Sequence, residues 1–509
     1  MKNQWKKGLS VILCIVLMLS CNAQVFAVGF NIFDDGTYLD SKQSEIKSDA
    51  KVKAVEALID AIGKVEYTDA CLAKIVAAEK AYAKLNSEQK LKVGNYGTLL
   101  AARNAYDALK ADKVDTSRLT ATDSGTIDKL KWAVYTNGLL EISGSGAIPS
   151  YSQGSAPWAN YADSVTAILV RGSVTGIGDS AFYGCNKVTN VTLPFVGASK
   201  DAVGYTSNFG YIFGYTIDNY TSGITHSVGY SVGDVYDCGT NGIKYITGSD
   251  ADKYGGFSYS NAYLYNVPSA IKTVTITDAT QIPSGAFANS KNITKIVLND
   301  SITSFGDYAF QNSSIKDFVI PESVTEIGTY AFYSCTGLTE MHIPNSVTEI
   351  KDYTFYGCTS IKKLTISRNA KTIGQYAFYN CSGFSKLVIP DKVETIGEYA
   401  FATCRGIEEI NIPDSVTSIG EYTFSDTSYA KKISIGSGLK YIPQRAFSGC
   451  KALTAIAVPN TVVSIGDSAF SGCTSVTNVT LPFVGASKDA VGYTSNFGYI
   501  FGYTPWSSY

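Results

Sequence analysis

The 509 residues carry 42 Lys and Arg against 44 Asp and Glu, a formal net charge of −2, with 45% hydrophobic and 17% charged residues. That composition is globular rather than disordered. The balanced charge gives no reason to expect nucleic acid or an anionic lipid surface as a partner. Low charge combined with 35 Tyr suits a β-rich surface that interacts through aromatic and hydroxyl groups.

At the N-terminus, Lys2, Lys6 and Lys7 precede an apolar run from Leu9 to Leu19, and Val25-Phe26-Ala27 offers small residues where a signal peptidase reads. This predicts a secretory signal over 1–27, cleaved after Ala27. A lipoprotein signal ending at Met18-Leu19-Ser20-Cys21 is the alternative. No second apolar run long enough to span a bilayer follows, and no C-terminal sorting motif with a hydrophobic tail is present. The mature chain is therefore expected to carry no transmembrane segment and to be released or held by non-covalent contacts.

Residues 28–49 read as a polar linker. From Ala50 the period becomes helical: Val52, Val55, Ile59 and Ile62 share a face and Gly63 stops it. Thr68 is placed to cap a second helix and Asn86 or Ser87 a third, which runs through Leu91, Val93, Tyr96, Leu99 and Tyr106. Residues 50–112 thus form a small three-helix module, similar to helical spacers of secreted and wall-associated Gram-positive proteins. A stalk or spacer is the leading reading, a dedicated binding module the alternative.

Residues 113–164 read as a linker and a β cap. LKWAVYTNGLLEI at Leu130–Ile142 alternates about an Asn137-Gly138 turn, the strongest short hairpin signal. With Trp132 and Trp158 it would shield the first layer of whatever array follows.

Such an array does follow. SVTEIGTYAFYSC at Ser323–Cys335 recurs with Phe at 287, 310, 332, 355, 378, 401, 424, 447 and 470, at gaps of 23, 22 and then 23 six times over. An outlying copy centres on Phe182. A fixed period in the twenties with Leu/Ile at fixed offsets predicts a β-rich leucine-rich-repeat solenoid of about 23-residue repeats. Its repeats occupy 165–196 and 269–484. In each, a short strand such as LTEMHIP turns Leu338, Met341 and Ile343 inward, and Phe332 fills the layer from the other side.

A Gly/Tyr-rich insert at 197–268 breaks the rhythm. Val188–Thr216 returns letter for letter at Val476–Thr504, so 485–509 reads as a second, truncated insert serving as a makeshift cap or ending an incomplete product. The first insert reads as a β-rich excursion packed on the array.

Seven of the 11 Cys stand three residues after the repeat Phe, where Ser290, Ser313 and Thr427 also occur. A slot that accepts Ser and Thr is chosen for volume and a weak hydrogen bond, which predicts free buried thiols. No Cys pair has metal-knuckle spacing, so no zinc is expected.

IPESVTEIGTYAFYSC, from Ile320 to Cys335, resembles the BspA-type leucine-rich repeat, and the resemblance covers about Val165–Leu481. The W…NG…LxISGxG…PW stretch and the LPFVGAS…FGYIFG insert also resemble segments that accompany such repeats in secreted clostridial proteins. The resemblance implies a secreted or surface-exposed protein that binds host or neighbouring-cell components, often as an adhesin. No choline-binding, S-layer or sortase anchor is recognisable.

Chemistry is sparse. The two histidines, His226 and His342, read as solvent-facing strand positions, although Glu340 could orient the His342 ring. Asp250, Asp252 and Gly255 make half a calcium loop without its later ligands, and no phosphate-binding glycine motif precedes a helix. No enzyme, cofactor or metal is expected. Recognition would fall to the outward strand residues, a second and a fourth on each strand: Lys295, Asp317, Glu340, His342, Lys363, Lys386, Glu409, Asn411 and Lys432. Val297 and Val319 belong to the same set. Mixed signs on a flat face argue for a host or neighbouring-cell surface protein or glycan. The Tyr-rich insert is the rival site, and a structural envelope scaffold without a soluble ligand is the rival function.

Overall fold

The computed structural model describes residues 37–218, 235–237, 243–248, 259–265 and 267–502. The expected export signal, His226, the half calcium loop and residues 503–509 lie outside the described residues. The chain divides into a unit up to Lys53 and a second unit from Ala54 onward, which holds every side-chain contact described below.

The N-terminal region contains four described helices rather than three: α1 (Thr37–Asp60), α2 (Asp69–Ala83), α3 (Ser87–Lys92) and α4 (Tyr96–Asp112). The first begins inside the stretch read as a linker, because TYLDSKQSEIKSDAK spaces its apolar residues too widely to make a stripe. The third predicted helix is cut in two at Gly94-Asn95. There the Gly94 N–H donates to Glu56 Oε1 at 2.7 Å and Asn95 Nδ2 to the Glu56 carbonyl at 3.0 Å. Thr68 caps α2 through the Cys71 N–H, and Asn86 and Gln89 close a reciprocal capping box on α3. Arg103 donates twice to Glu79, each at 2.8 Å, clasping α4 to α2.

The expected hairpin forms between β2 (Leu130–Tyr135) and β3 (Leu139–Ile148), Trp132 opposite Ile142, with Gly138 at φ 82° as the turn demands. An edge strand, β1 (Ala121–Ile127), precedes it in the stretch read as a linker; its outer side is too polar to give an apolar alternation. From β3 the pairing turns parallel through β4 (Ala167–Ile177) and β5 (Asn190–Leu193) to Thr273–Ile276 and Lys295–Leu298. Trp158 is buried at this junction, stacks on Phe182 and donates to the Ala181 carbonyl at 2.9 Å.

Beyond it two parallel ladders run side by side. The long-strand ladder includes Glu340–His342, Lys363–Thr365, Glu409–Ile412, Lys432–Ile435 and Ala455–Ala457, with Glu340 opposite Lys363 and Glu409 opposite Lys432. The short-strand ladder pairs Thr372-Ile373 with Thr395-Ile396 and then Ser418-Ile419. Between them the nine Phe rings from Phe287 to Phe470 form one stacked column, centroids 5.0–5.8 Å apart and planes within 14°. The backbone locks the same column: Phe332 N–H donates to Thr354 O and Phe355 N–H to Ala377 O, both at 2.8 Å.

The eight described cysteines are buried and free. In the Phe+3 slot, the thiols of Cys335, Cys358, Cys381 and Cys404 each reach the carbonyl of a preceding Phe at 2.9–3.1 Å. Burial pushes Cys335 and Cys404 up to about 12, which leaves almost no nucleophilic thiolate at neutral pH.

The insert forms two 3-10 turns, then a four-stranded antiparallel sheet from Tyr215–Asp218, Val235–Asp237, Ile243–Gly248 and Tyr259–Tyr265. Both copies of the duplicated segment grip the preceding rung alike: Phe182 N–H donates to Ile212 O, and Phe470 N–H to Ile500 O, each at 2.8 Å. The first copy also meets a following rung. The Phe209 ring packs against Phe287, centroids 5.4 Å apart and planes tilted by 33°, and its N–H donates to the Ala286 carbonyl at 2.9 Å. In the second copy Phe497, its twin, is 47% exposed.

Candidate recognition face

Along the long-strand ladder, outward residues alternate with core residues: Lys295 with Ile296, Glu340 with Met341, Glu409 with Ile410, Lys432 with Ile433. The predicted recognition residues divide on this face. Lys295, Asp317, Glu340, Lys386, Glu409, Asn411 and Lys432 are exposed, whereas His342 and Lys363 are partly buried. Parallel register sets opposite charges side by side at Glu340/Lys363, at the Lys386–Glu409 bridge and at Glu409/Lys432.

What covers His342 and Lys363 is the helical module. It does not stand off the array as a spacer; its helices lie against the ladder. Helix α4 crosses Thr273–Ile276 and Lys295–Leu298, and Asn104 Nδ2 donates to the Leu298 carbonyl at 3.0 Å. Val297, expected to face solvent, is 3% exposed beneath it. Further along, the Tyr82 and Tyr96 rings stack at 4.0 Å. Lys363 Nζ donates to the Tyr82 hydroxyl at 2.7 Å and lies 4.2 Å from the Tyr96 ring centre. Such a cation over an aromatic face is worth roughly 0.5–2 kcal/mol, more as it is desolvated. Burial lowers the Lys363 ammonium from its usual range. Burial also raises the Tyr82 phenol and pushes Tyr96 up to about 12, with Glu340 adding to both.

At Gly97 the backbone touches the ladder. A Cβ there would fall 1.8 Å from His342 Nε2, so any larger residue would force the ring aside. His342, 13% exposed at its side chain, is not the solvent-facing residue expected from alternation. It pairs with Glu322 Oε1 at 3.3 Å, a residue of another rung rather than Glu340. Arg368 donates to the Gly94 carbonyl. The segment after α4 is fastened too: Arg171 donates to Val114 O at 2.8 Å, Thr116 Oγ1 at 3.0 Å and Glu141 at 2.8 Å.

The face therefore has a roofed part and an open part. Among the described residues, clefts lie between helices and ladder. One of ≈ 300 Å³ is lined by Tyr96, Leu100, Asp317 and Glu340; a second of ≈ 560 Å³ extends to Lys392. Glu409, Asn411 and Lys432 lie beyond both, among the described residues.

The family model described as a BspA type leucine rich repeat region matches residues 158–201, 259–385 and 371–488, together more than half of the chain. The chain belongs to the BspA-type leucine-rich-repeat family. A leucine-rich repeat protein from Eubacterium ventriosum has 22% identity and a TM-score of 0.35, covering 75% of this chain and 96% of its own. A leucine rich cell surface protein from Faecalibacterium prausnitzii has 18% identity and a TM-score of 0.27, covering 71% and 95%. The pneumococcal vaccine antigen PcpA has 14% identity and a TM-score of 0.28, covering 71% and 99%. No curated protein matches the sequence significantly.

Two further features of this BspA-type array escaped sequence reading. Tyr308, Tyr330, Tyr353, Tyr376, Tyr399 and Tyr422 stack in a column at 4.5–5.0 Å, each at a left-handed φ of 54–59°. Tyr333, Tyr356 and Tyr379 make a second column at 4.6–4.7 Å. The signal was present, Tyr two residues before and one after the repeat Phe. Among the described residues no group of three or more His, Cys, Asp or Glu could hold a metal, and no helix is long and apolar enough to cross a membrane.

Proposed function

We propose that this chain is an exported bacterial repeat protein, secreted or held at the cell surface. There it recognises a host or neighbouring-cell surface protein or glycan through the outward face of the long-strand ladder. In this reading Met1–Ala27 is the export signal, and the array is a solenoid of about 23-residue repeats with the ladder on its concave side. The reading is one of recognition and adhesion, not catalysis, with no cofactor. One observation carries it: Lys386, Glu409 with Asn411, and Lys432 lie exposed on consecutive rungs, in register and alternating in sign. The stacked Phe column holds the strands beneath them, so binding there carries little ordering cost. Lys295, Asp317 and Glu340 extend the face, while His342 and Lys363 are engaged by the helices.

Charge reversal tests this. The mature chain and the triple variant Lys386→Glu, Glu409→Lys, Lys432→Glu are used to capture partners from host-cell extract and intact bacteria. A partner held by the parent and lost by the variant is the expected result. A partner retained at unchanged affinity moves the site off this face. Enrichment of the chain's own cell wall alone favours the scaffold.

A further inference from the structure

We infer that the cleft between the α3–α4 turn and the rungs around Lys363 and Lys386 binds an acidic peptide segment of a partner protein, its carboxylates interspersed with apolar side chains. This rests on the ladder being a recognition face and names the chemistry of one end of it.

The cleft, ≈ 560 Å³, is lined by seven basic side chains and two carboxylates, in a chain whose net charge is −2. The helical module supplies the smaller part of the wall, with Lys90 and Lys92, and the repeats supply the rest, with the other five basic side chains. Of the two carboxylates, Glu56 is already occupied by the Gly94 N–H at 2.7 Å. Lys363 is held against Tyr82 and Tyr96, and Lys90 Nζ approaches the same Tyr82 ring to 5.6 Å. Burial works most strongly against the Lys363 charge; Glu340 favours it and Lys90 opposes it. Lys392 leans on an uncharged partner, Asn369 Oδ1, at 2.7 Å. Among the described residues, no carboxylate comes within 4.0 Å of Lys90, Lys363, Arg368 or Lys386. Like charges gathered at a partly desolvated wall repel one another, and an incoming anion relieves that repulsion while gaining charge-assisted hydrogen bonds.

The rest of the wall selects among anions. Val93, Leu364, Val388 and Pro390 line it, and Val388 is 61% exposed. A sugar polymer presents hydroxyl donors on all sides, yet cationic donors outnumber side-chain acceptors here, which are Glu56, Asp391, His342 and the Thr365 and Tyr96 hydroxyls. A peptide alternating carboxylate and apolar side chains satisfies both the cations and the apolar wall.

The test uses the mature chain and a fluorescent peptide of alternating glutamate and valine, followed by anisotropy. Peptides of alternating lysine and valine and an oligogalacturonate run in parallel. The Glu/Val peptide should bind saturably, weaken as salt rises, and lose about tenfold in affinity in Lys386→Gln or Lys90→Gln. Lys392→Gln should weaken it too, without touching any helix, and Lys451→Gln, exposed and outside both the cleft and the ladder face, should leave it unchanged. Absence of saturable binding, equal binding of the lysine peptide, stronger binding of the oligogalacturonate, or equal loss in Lys451→Gln would each overturn the inference. If cell-surface capture persists while the peptide fails to bind, the inference falls and the recognition reading stands; the converse result spares the cleft.

Discussion

The stretches of ladder on either side of Lys386 come from one repeat, yet helices roof one and the other is bare. Beneath both, the Phe column and the inward Ile and Leu are alike. Above, Val297 and His342 lie under α4, while Asn411 and Lys432 face solvent. The difference teaches that a repeat fixes what its inner face does and leaves its outer face to whatever the chain brings alongside. Here Arg171, by holding the segment at Val114 and Thr116, sets where the helices return.

Four perturbations break or sharpen that contrast. The largest effect should come from the shared core. Phe355→Ala, in the roofed part, and Phe447→Ala, in the open part, should each cost about 4 kcal/mol in urea unfolding. A loss confined to one would show that the cores differ as well. Next, Gly97→Ala acts on the roof. An alanine in place of a helical glycine ordinarily stabilises, but here its Cβ meets the His342 ring, so a loss of about 1–2 kcal/mol is expected. Adding His342→Ala should recover most of it in a double-mutant cycle.

Alkaline pH sharpens the contrast further. Tyr96 keeps its proton up to about 12 in the fold, against 10.0 for the ordinary phenol. A raised folded pKa stabilises fully below the unfolded value and is lost as pH rises through the folded one. The roof should therefore loosen between pH 10 and 12, read as thermal unfolding against pH, and Tyr96→Phe should flatten that slope. The smallest effect belongs to the open part: Lys432→Glu should change stability by less than about 0.5 kcal/mol.

The inner face was legible because it is periodic. Phe at 22–23 residue spacing, a Cys slot that also takes Ser, the Asn137-Gly138 turn and the Thr68 cap are each local patterns with a local cause. The roof was not legible. Nothing in the sequence near Tyr82 or Gly97 says that Lys363 and His342 lie against them, because that contact depends on how the chain returns after Asp112. The polar half of α1 was missed since a helix without an apolar stripe resembles a linker. The duplicated segment makes the limit plain. The same letters bury Phe209 and leave Phe497 exposed: among the described residues only the first copy meets a following rung.

The division of the ladder face is tested most directly without any ligand, by lysine acetylation of the folded chain read by mass spectrometry. Lys363, bonded to the Tyr82 hydroxyl and lying over the Tyr96 ring, should stay largely unmodified under conditions that acetylate Lys386 and Lys432. Gly97→Ala should then expose Lys363 selectively. Lys363 reacting as fast as Lys432 in the unaltered protein would contradict the roof, and with it the account of which residues remain free to bind.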